Sequence, residues 1–263
     1  MNALLDTVLA DLDTEGSRLD ALVAVLPESG WRTPTPAAGW DVATQIAHLA
    51  WTDEAAQAAA TDQERWDALV LEALVDPEHA VDTAALTGGR AAPETLLHRW
   101  RTARARLADT LRDYPAGQKM AWYGPPMSAT SMATARFMET WAHSLDVHDA
   151  LGAEPEVTDR IRHVAHLGVR TRDFAFSVQG MPTPSDEFRI DLTAPSGDVW
   201  TWGPEDAPQT VTGPAYDFCL LVTQRVNRAD TSLVATGRDA DRWLHIAQAF
   251  AGPPGRGREP RHA

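Results

Sequence analysis

The stretch Glu-Thr-Trp-Ala-His-Ser-Leu-Asp-Val-His-Asp-Ala-Leu, residues 139–151, sets two histidines, one glutamate and two aspartates inside the apolar pattern of an amphipathic helix. At about 100° per residue, Glu139, His143 and Asp146 fall within about 60° of one another, while His148 lies on the opposite face. A carboxylate and an imidazole one helical turn apart are close enough to share a cation. The same spacing also describes an ordinary surface pair, so the stretch alone leaves both readings open.

A metal site needs a further ligand from another helix. His48 is the candidate, because it sits in Trp40-Asp-Val-Ala-Thr-Gln-Ile-Ala-His-Leu-Ala-Trp beside Ile46, Leu49 and Trp51. Those apolar neighbours imply an inward setting, and helical bundles assemble metal sites from side chains on facing helices. Two histidines and one carboxylate with an open position suit zinc, and the same set also accepts iron, nickel or manganese. Asp146 is placed to orient a ligand from behind.

The rest of the chain supports a bundle. Residues 3–25 carry an apolar stripe that ends at Pro27 and Thr33-Pro-Thr-Pro, and Asp41 is placed to cap a second helix. Residues 63–75 read as a short inserted helix and 76–93, with Pro77, Gly88, Gly89 and Pro93, as a loop. A further helix over 94–111 has the stripe Leu96, Leu97, Trp100, Ala103, Leu107, Leu111, and the last runs from Ser128 to Leu151 before Gly152. Four long helices predict a four-helix bundle.

After Gly152 the texture changes. A helix is expected over 157–176, then a hairpin at 187–202 around Ala194-Pro-Ser-Gly-Asp, a strand at 210–212, a helix from Gly213-Pro214 to Thr223, a strand at 232–236 and a helix over 239–250. The tail from Gly252, with Pro253, Pro254, Gly255 and Gly257, reads as flexible. The expected fold is mainly α: a helical bundle over 1–153 and a smaller α+β domain over 154–263.

Composition excludes several function classes. The 263 residues carry a formal charge of −14 with no offsetting basic stripe, which argues against nucleic acid and against an anionic membrane surface. No window reaches the roughly 20 apolar residues that span a bilayer, and the first residues lack the basic and apolar regions of a signal peptide. The expectation is a soluble cytoplasmic protein, monomeric or homodimeric. Its one cysteine, Cys219, sits in an apolar helical run and reads as structural.

The pattern Gly39-Trp40-Asp41…His48-Leu49, followed by Ala135-Arg136-x-x-Glu139-x-x-x-His143-x-x-Asp146, resembles the DinB-like metal-binding bundles, and most closely the mycothiol-dependent maleylpyruvate isomerase branch. The resemblance covers nearly the whole chain. It implies metal ligands at His48, Glu139 and His143, most often zinc, with mycothiol as thiol cosubstrate. The segment Val211-Thr-Gly-Pro…Asp217-Phe…Leu220-Leu…Arg225 resembles the family helix that carries an active-site arginine, which maps onto Arg225. Two departures stand out: Thr223-Gln-Arg where relatives often carry Gly-Arg, and Trp122-Tyr-Gly-Pro-Pro-Met.

The chemistry expected from this set is activation of a small thiol for attack on a small electrophilic substrate, in an isomerisation or an S-transfer. Arg225 holds a substrate carboxylate or an enolate, and Trp40, Trp51, Trp122 and Trp141 wall the cavity. Two other readings stay open: a hydrolase that uses metal-bound water, and a non-catalytic metal or ligand binder.

Overall fold

The computed structural model describes residues 2–252, 254, 255 and 257–261. It divides into two compact units, residues 1–155 and 156–263.

In the first unit the helices begin where side chains can satisfy their free backbone amides. Helix α1 (Ala3–Val23) is capped by Asn2, α2 (Val42–Thr61) by Asp41, α3 (Gln63–Val75) by Asp62, and α6 (Ala129–Leu151) by Ser128. Helix α5 (Pro93–Asp113) starts instead with proline in its first turn. Gly152, at φ 63°, closes α6 in the left-handed region. Helices α1, α2, α5 and α6 form the bundle. The whole stripe Leu96, Leu97, Trp100, Ala103, Leu107 and Leu111 of α5 is buried.

One expectation fails here. Residues 76–93 are not all loop: Ala80–Gly88 forms a further helix, α4. Its prolines and glycines mark its two ends, and the intervening Ala-Val-Asp-Thr-Ala-Ala-Leu-Thr is short and helix-permissive. Ala85 packs inward, and Gly89 lies so close to Thr44 that an added Cβ would sit 3.1 Å from the α2 backbone.

Helix α2 touches α3, α4, α5 and α6. Nearly every residue from Val42 to Ala58 is therefore buried, polar ones included. A helix covered on all sides carries no solvated face, and this is what brings Gln45, His48 and Asp53 inside.

On the flank, Asp20 of α1 accepts two hydrogen bonds from Arg101 of α5, at 2.6 and 2.7 Å. These bonds hold the Asp20 carboxyl below its usual range. A depressed folded-state pKa gives stability that is present above the unfolded value, near 3.9, and is lost as pH falls through the folded value. Asp20→Asn is accordingly expected to flatten the acid limb of a stability-against-pH curve below about pH 4, measured by urea unfolding.

The second unit holds a four-stranded sheet in the order β2-β1-β3-β4. Strands β1 (Phe188–Thr193) and β2 (Val199–Trp202) form the expected hairpin, with Ile190 opposite Trp202. Strand β3 (Gln209–Pro214) pairs with β1 in parallel, and β4 (Val234–Thr236) pairs antiparallel to β3. The helix expected over 157–176 is broken into α7 (Arg162–Arg170) and α8 (Arg172–Val178). Thr171 stands at the break, its hydroxyl bonded back to the carbonyls of Leu167 and Gly168.

Helix α9 (Ala215–Val222) buries Cys219, whose thiol pKa is pushed well above its usual value by that burial. Helix α10 (Arg238–Ile246) stops short of the expected 250. Part of the expected flexible tail is tied down: Asn227 Nδ2 donates to Arg258 O at 2.7 Å, and Arg261 N to Asp230 at 2.9 Å. Pro253 of that tail lies outside the described residues. No helix among the described residues is long and apolar enough to cross a membrane.

Candidate metal centre

Helix α6 presents Glu139 and His143 one turn apart, and α2 packs across them with His48. One donor atom from each lies within 4.8 Å of the others. His143 Nε2 is 3.2 Å from Glu139 Oε2, and His48 Nε2 is 3.4 Å from the same oxygen. Ligand atoms about 2.0–2.1 Å from a tetrahedral ion sit roughly 3.3 Å apart, so both separations fit a shared divalent cation.

The hydrogen bonds behind His143 decide its protonation. Thr35 Oγ1 donates its single proton to Trp40 O at 3.0 Å. It must therefore accept from Gln45 Nε2, at 2.9 Å. That turns Gln45 Oε1 toward His143, where it accepts from Nδ1. With Nδ1 carrying the proton, the lone pair of neutral His143 sits on Nε2 and faces a carboxylate oxygen. Two electron-rich atoms at 3.2 Å repel unless a positive charge lies between them. The arrangement demands either a proton on Nε2 or a metal ion. His48 has no such brace: its Nδ1 is buried and finds no hydrogen-bond partner among the described residues.

Glu139 carries the matching negative charge. Burial works to raise its pKa, but the hydrogen bonds and charge of His143 and His48 outweigh that and hold it well below the usual range.

The aromatic expectations divide. Trp40 stacks on His143 with centroids 5.8 Å apart and tilts against His48 at 5.3 Å. Its Nε1 donates to Asp82 of α4. Trp51 reaches His48 at 6.3 Å and stacks on Tyr123. Trp122 stacks on Trp66 of α3 at 5.8 Å. The segment holding Trp122 and Tyr123 is a tight excursion closed by paired backbone hydrogen bonds between Met120 and Met127. Trp141 is buried, about 200° round α6 from Glu139. Asp146 is buried too. His148, on the other face, bonds back to Ser144 O.

In the second unit Arg225 follows α9, where its amide donates to Leu220 O and its Nη1 to Thr223 O at 2.7 Å. Gln224 before it has φ 59°, so the departure from Gly-Arg noted in the sequence puts a side chain at a left-handed helix end that favours glycine. Asp217 accepts from Ser232 N at 2.7 Å.

Sequence reasoning missed Gln45 and Thr35. The available signal was an amide three residues before His48, in a helix with no polar face. If these side chains hold a divalent ion, Gln45→Leu is expected to weaken its affinity about 10–100-fold, the usual effect of removing a ligand's hydrogen-bond partner, as measured by chelator competition.

A family model described as the mycothiol maleylpyruvate isomerase N-terminal domain matches residues 12–148. A second, described as wyosine base formation, matches residues 184–236. Proteins from two strains of Mycobacterium tuberculosis, both named as uncharacterized, are 55% identical over 250 residues, covering 95% of this chain and 97% of theirs. Two crystal structures titled as mycothiol-dependent maleylpyruvate isomerase, one of a mutant, share the fold. Their TM-scores are 0.61 and 0.58 at 19% and 16% identity, over 88% of this chain and 92% of theirs. On the strength of the family-model match across the bundle, the chain belongs to the mycothiol maleylpyruvate isomerase N-terminal domain family.

Proposed function

We propose that this protein is a metal-dependent enzyme of the mycothiol-dependent isomerase or S-transferase type, acting on a small electrophilic substrate. The observation that supports the reading is the convergence of His48, Glu139 and His143 at ligand spacing, with the tautomer of His143 set by Gln45 so that Nε2 faces the carboxylate. Two imidazoles and one carboxylate suit zinc. A divalent ion held there supplies Lewis acidity that lowers the pKa of a thiol or water bound beside it.

The chain's own groups fill the remaining roles. Gln45 keeps the proton on Nδ1 of His143, leaving Nε2 to face the ion. Trp40 covers both imidazoles and keeps water from that side. Cys219 supplies no sulfur, because it is fully buried and its thiol resists ionisation, so the nucleophile comes from a cosubstrate.

The test is turnover of a panel of small electrophiles, maleylpyruvate among them, by zinc-loaded protein with and without mycothiol. Turnover that needs mycothiol and disappears in Glu139→Gln supports the reading. Thiol-independent hydrolysis that also depends on Glu139 replaces it with the metal hydrolase. Turnover unchanged in Glu139→Gln removes the site from the chemistry.

A further inference from the structure

Three side-chain contacts set α2 and α6 in register. Gln45 Oε1 meets His143 Nδ1, His48 Nε2 meets Glu139 Oε2, and Asp53 Oδ1 meets Arg136 Nε. Residue numbers rise along α2 as they fall along α6, so the two helices run antiparallel. The candidate ligands therefore lie between two crosslinks about 12 Å apart along α2. The Gln45 crosslink fixes the tautomer of His143. The Asp53–Arg136 crosslink, at 2.9 Å, bonds to none of the three ligands among the described residues.

Stability does not account for that second crosslink. Its side chains are 2% and 5% exposed. Burying two charges costs about as much as their attraction returns, so an apolar pair of similar volume often serves as well or better. What an apolar pair lacks is direction, because the hydrophobic effect is non-directional and tolerates sliding. Helix α2 is also rich in buried alanine, at Ala43, Ala47, Ala50, Ala55 and Ala56. Such short side chains give shallow ridges for a neighbouring helix to lock into. A slip of one residue between α2 and α6 is about 1.5 Å, whereas metal–ligand distances hold to about 0.2 Å. Ligands drawn from two helices need a register finer than such packing supplies.

We propose that Asp53 and Arg136 are positioning residues for the cation site: their bond sets the register of α2 against α6, and thereby the spacing of His48 from Glu139 and His143. This rests on the metal-dependent reading above.

Chelator competition for zinc, read beside the unfolding temperature of metal-stripped protein, tests the proposal on the full chain. Asp53→Leu combined with Arg136→Met keeps the volume and removes the directional bond. Glu54→Leu combined with Arg99→Met is the control, because those side chains link α2 to α5 instead, at 2.7 and 2.8 Å. The first double variant is expected to bind zinc about 10-fold more weakly or worse, while its stripped form melts within about 3 °C of wild type. The control should keep wild-type zinc affinity. Wild-type affinity in the first double variant overturns the positioning role and leaves the metal-dependent reading intact. An equal loss in the control also overturns it, since the effect is then not particular to the α2–α6 bond. Should the first double variant melt far below wild type, Asp53→Glu decides, because it keeps the ion pair on an arm one methylene longer. Zinc binding weakened about 3-fold or more there supports the role, and wild-type affinity overturns it. No zinc binding to the wild type overturns the metal-dependent reading, and the positioning role with it.

Discussion

Replacing His48 with alanine is expected to empty the cation position. Wild-type protein should carry about one divalent ion per chain, and His48→Ala, Glu139→Gln and His143→Ala close to none, by elemental analysis of tag-free protein. Loss of a hydrogen-bond partner behind a ligand costs about 10–100-fold in affinity, so loss of a ligand itself should exceed 100-fold. His148→Ala is the control. Its ring lies on the far side of α6 and bonds to Ser144 O at 2.8 Å, so metal content should not change. No metal in the wild type, even after zinc is added, would show that the three side chains are held together by protons alone, and equal occupancy in His48→Ala would remove His48 from the ligand set.

The second large effect concerns stability. One turn from Glu139 on α6, Arg136 donates through Nε to Asp53 Oδ1 of α2 at 2.9 Å. The two side chains are 2% and 5% exposed. Burial pushes the Asp53 carboxyl pKa up against the pull of Arg136, and Arg136 Nη2 has no hydrogen-bond partner among the described residues. Removing one member strands the other's charge in the interior, at a cost of about 3–5 kcal/mol. For a domain of this size that corresponds to a fall in unfolding temperature on the order of 10 °C. Asp53→Ala and Arg136→Ala should each show it by calorimetry, while Asp53→Leu combined with Arg136→Met should recover most of the loss. A single variant that melts within about 2 °C of wild type would mean that water reaches the pair.

Much of the architecture was legible from the residues. The stripe of α5 emerged from a 3.6-residue period, and the cap Asp41 from a side chain that competes for a free amide. The association of Glu139 with His143 follows from helical spacing, and the placement of His48 from its apolar neighbours. Helix α4 escaped because a nine-residue helix between glycines and prolines has the texture of a loop. The break at Thr171 depends on one side chain bonding to the backbone, which periodicity does not register. Strands were recognisable, but the parallel pairing of β1 with β3 depends on partners distant in sequence. Gln45 and Thr35 were hidden for a related reason. Their role exists only once three segments meet, and neither residue type announces it.

Thr35 belongs to the loop before α2, yet its hydroxyl sits in the chain of hydrogen bonds that ends on His143. For an ion held by His48, Glu139 and His143, loop order and ion affinity would then be one equilibrium viewed from two ends. An ion that selects the Nδ1 tautomer also selects the loop conformation that enforces it, and linkage makes the favour mutual. The backbone amides of Thr35 and Trp40 should exchange with solvent more slowly in zinc-loaded protein than in stripped protein.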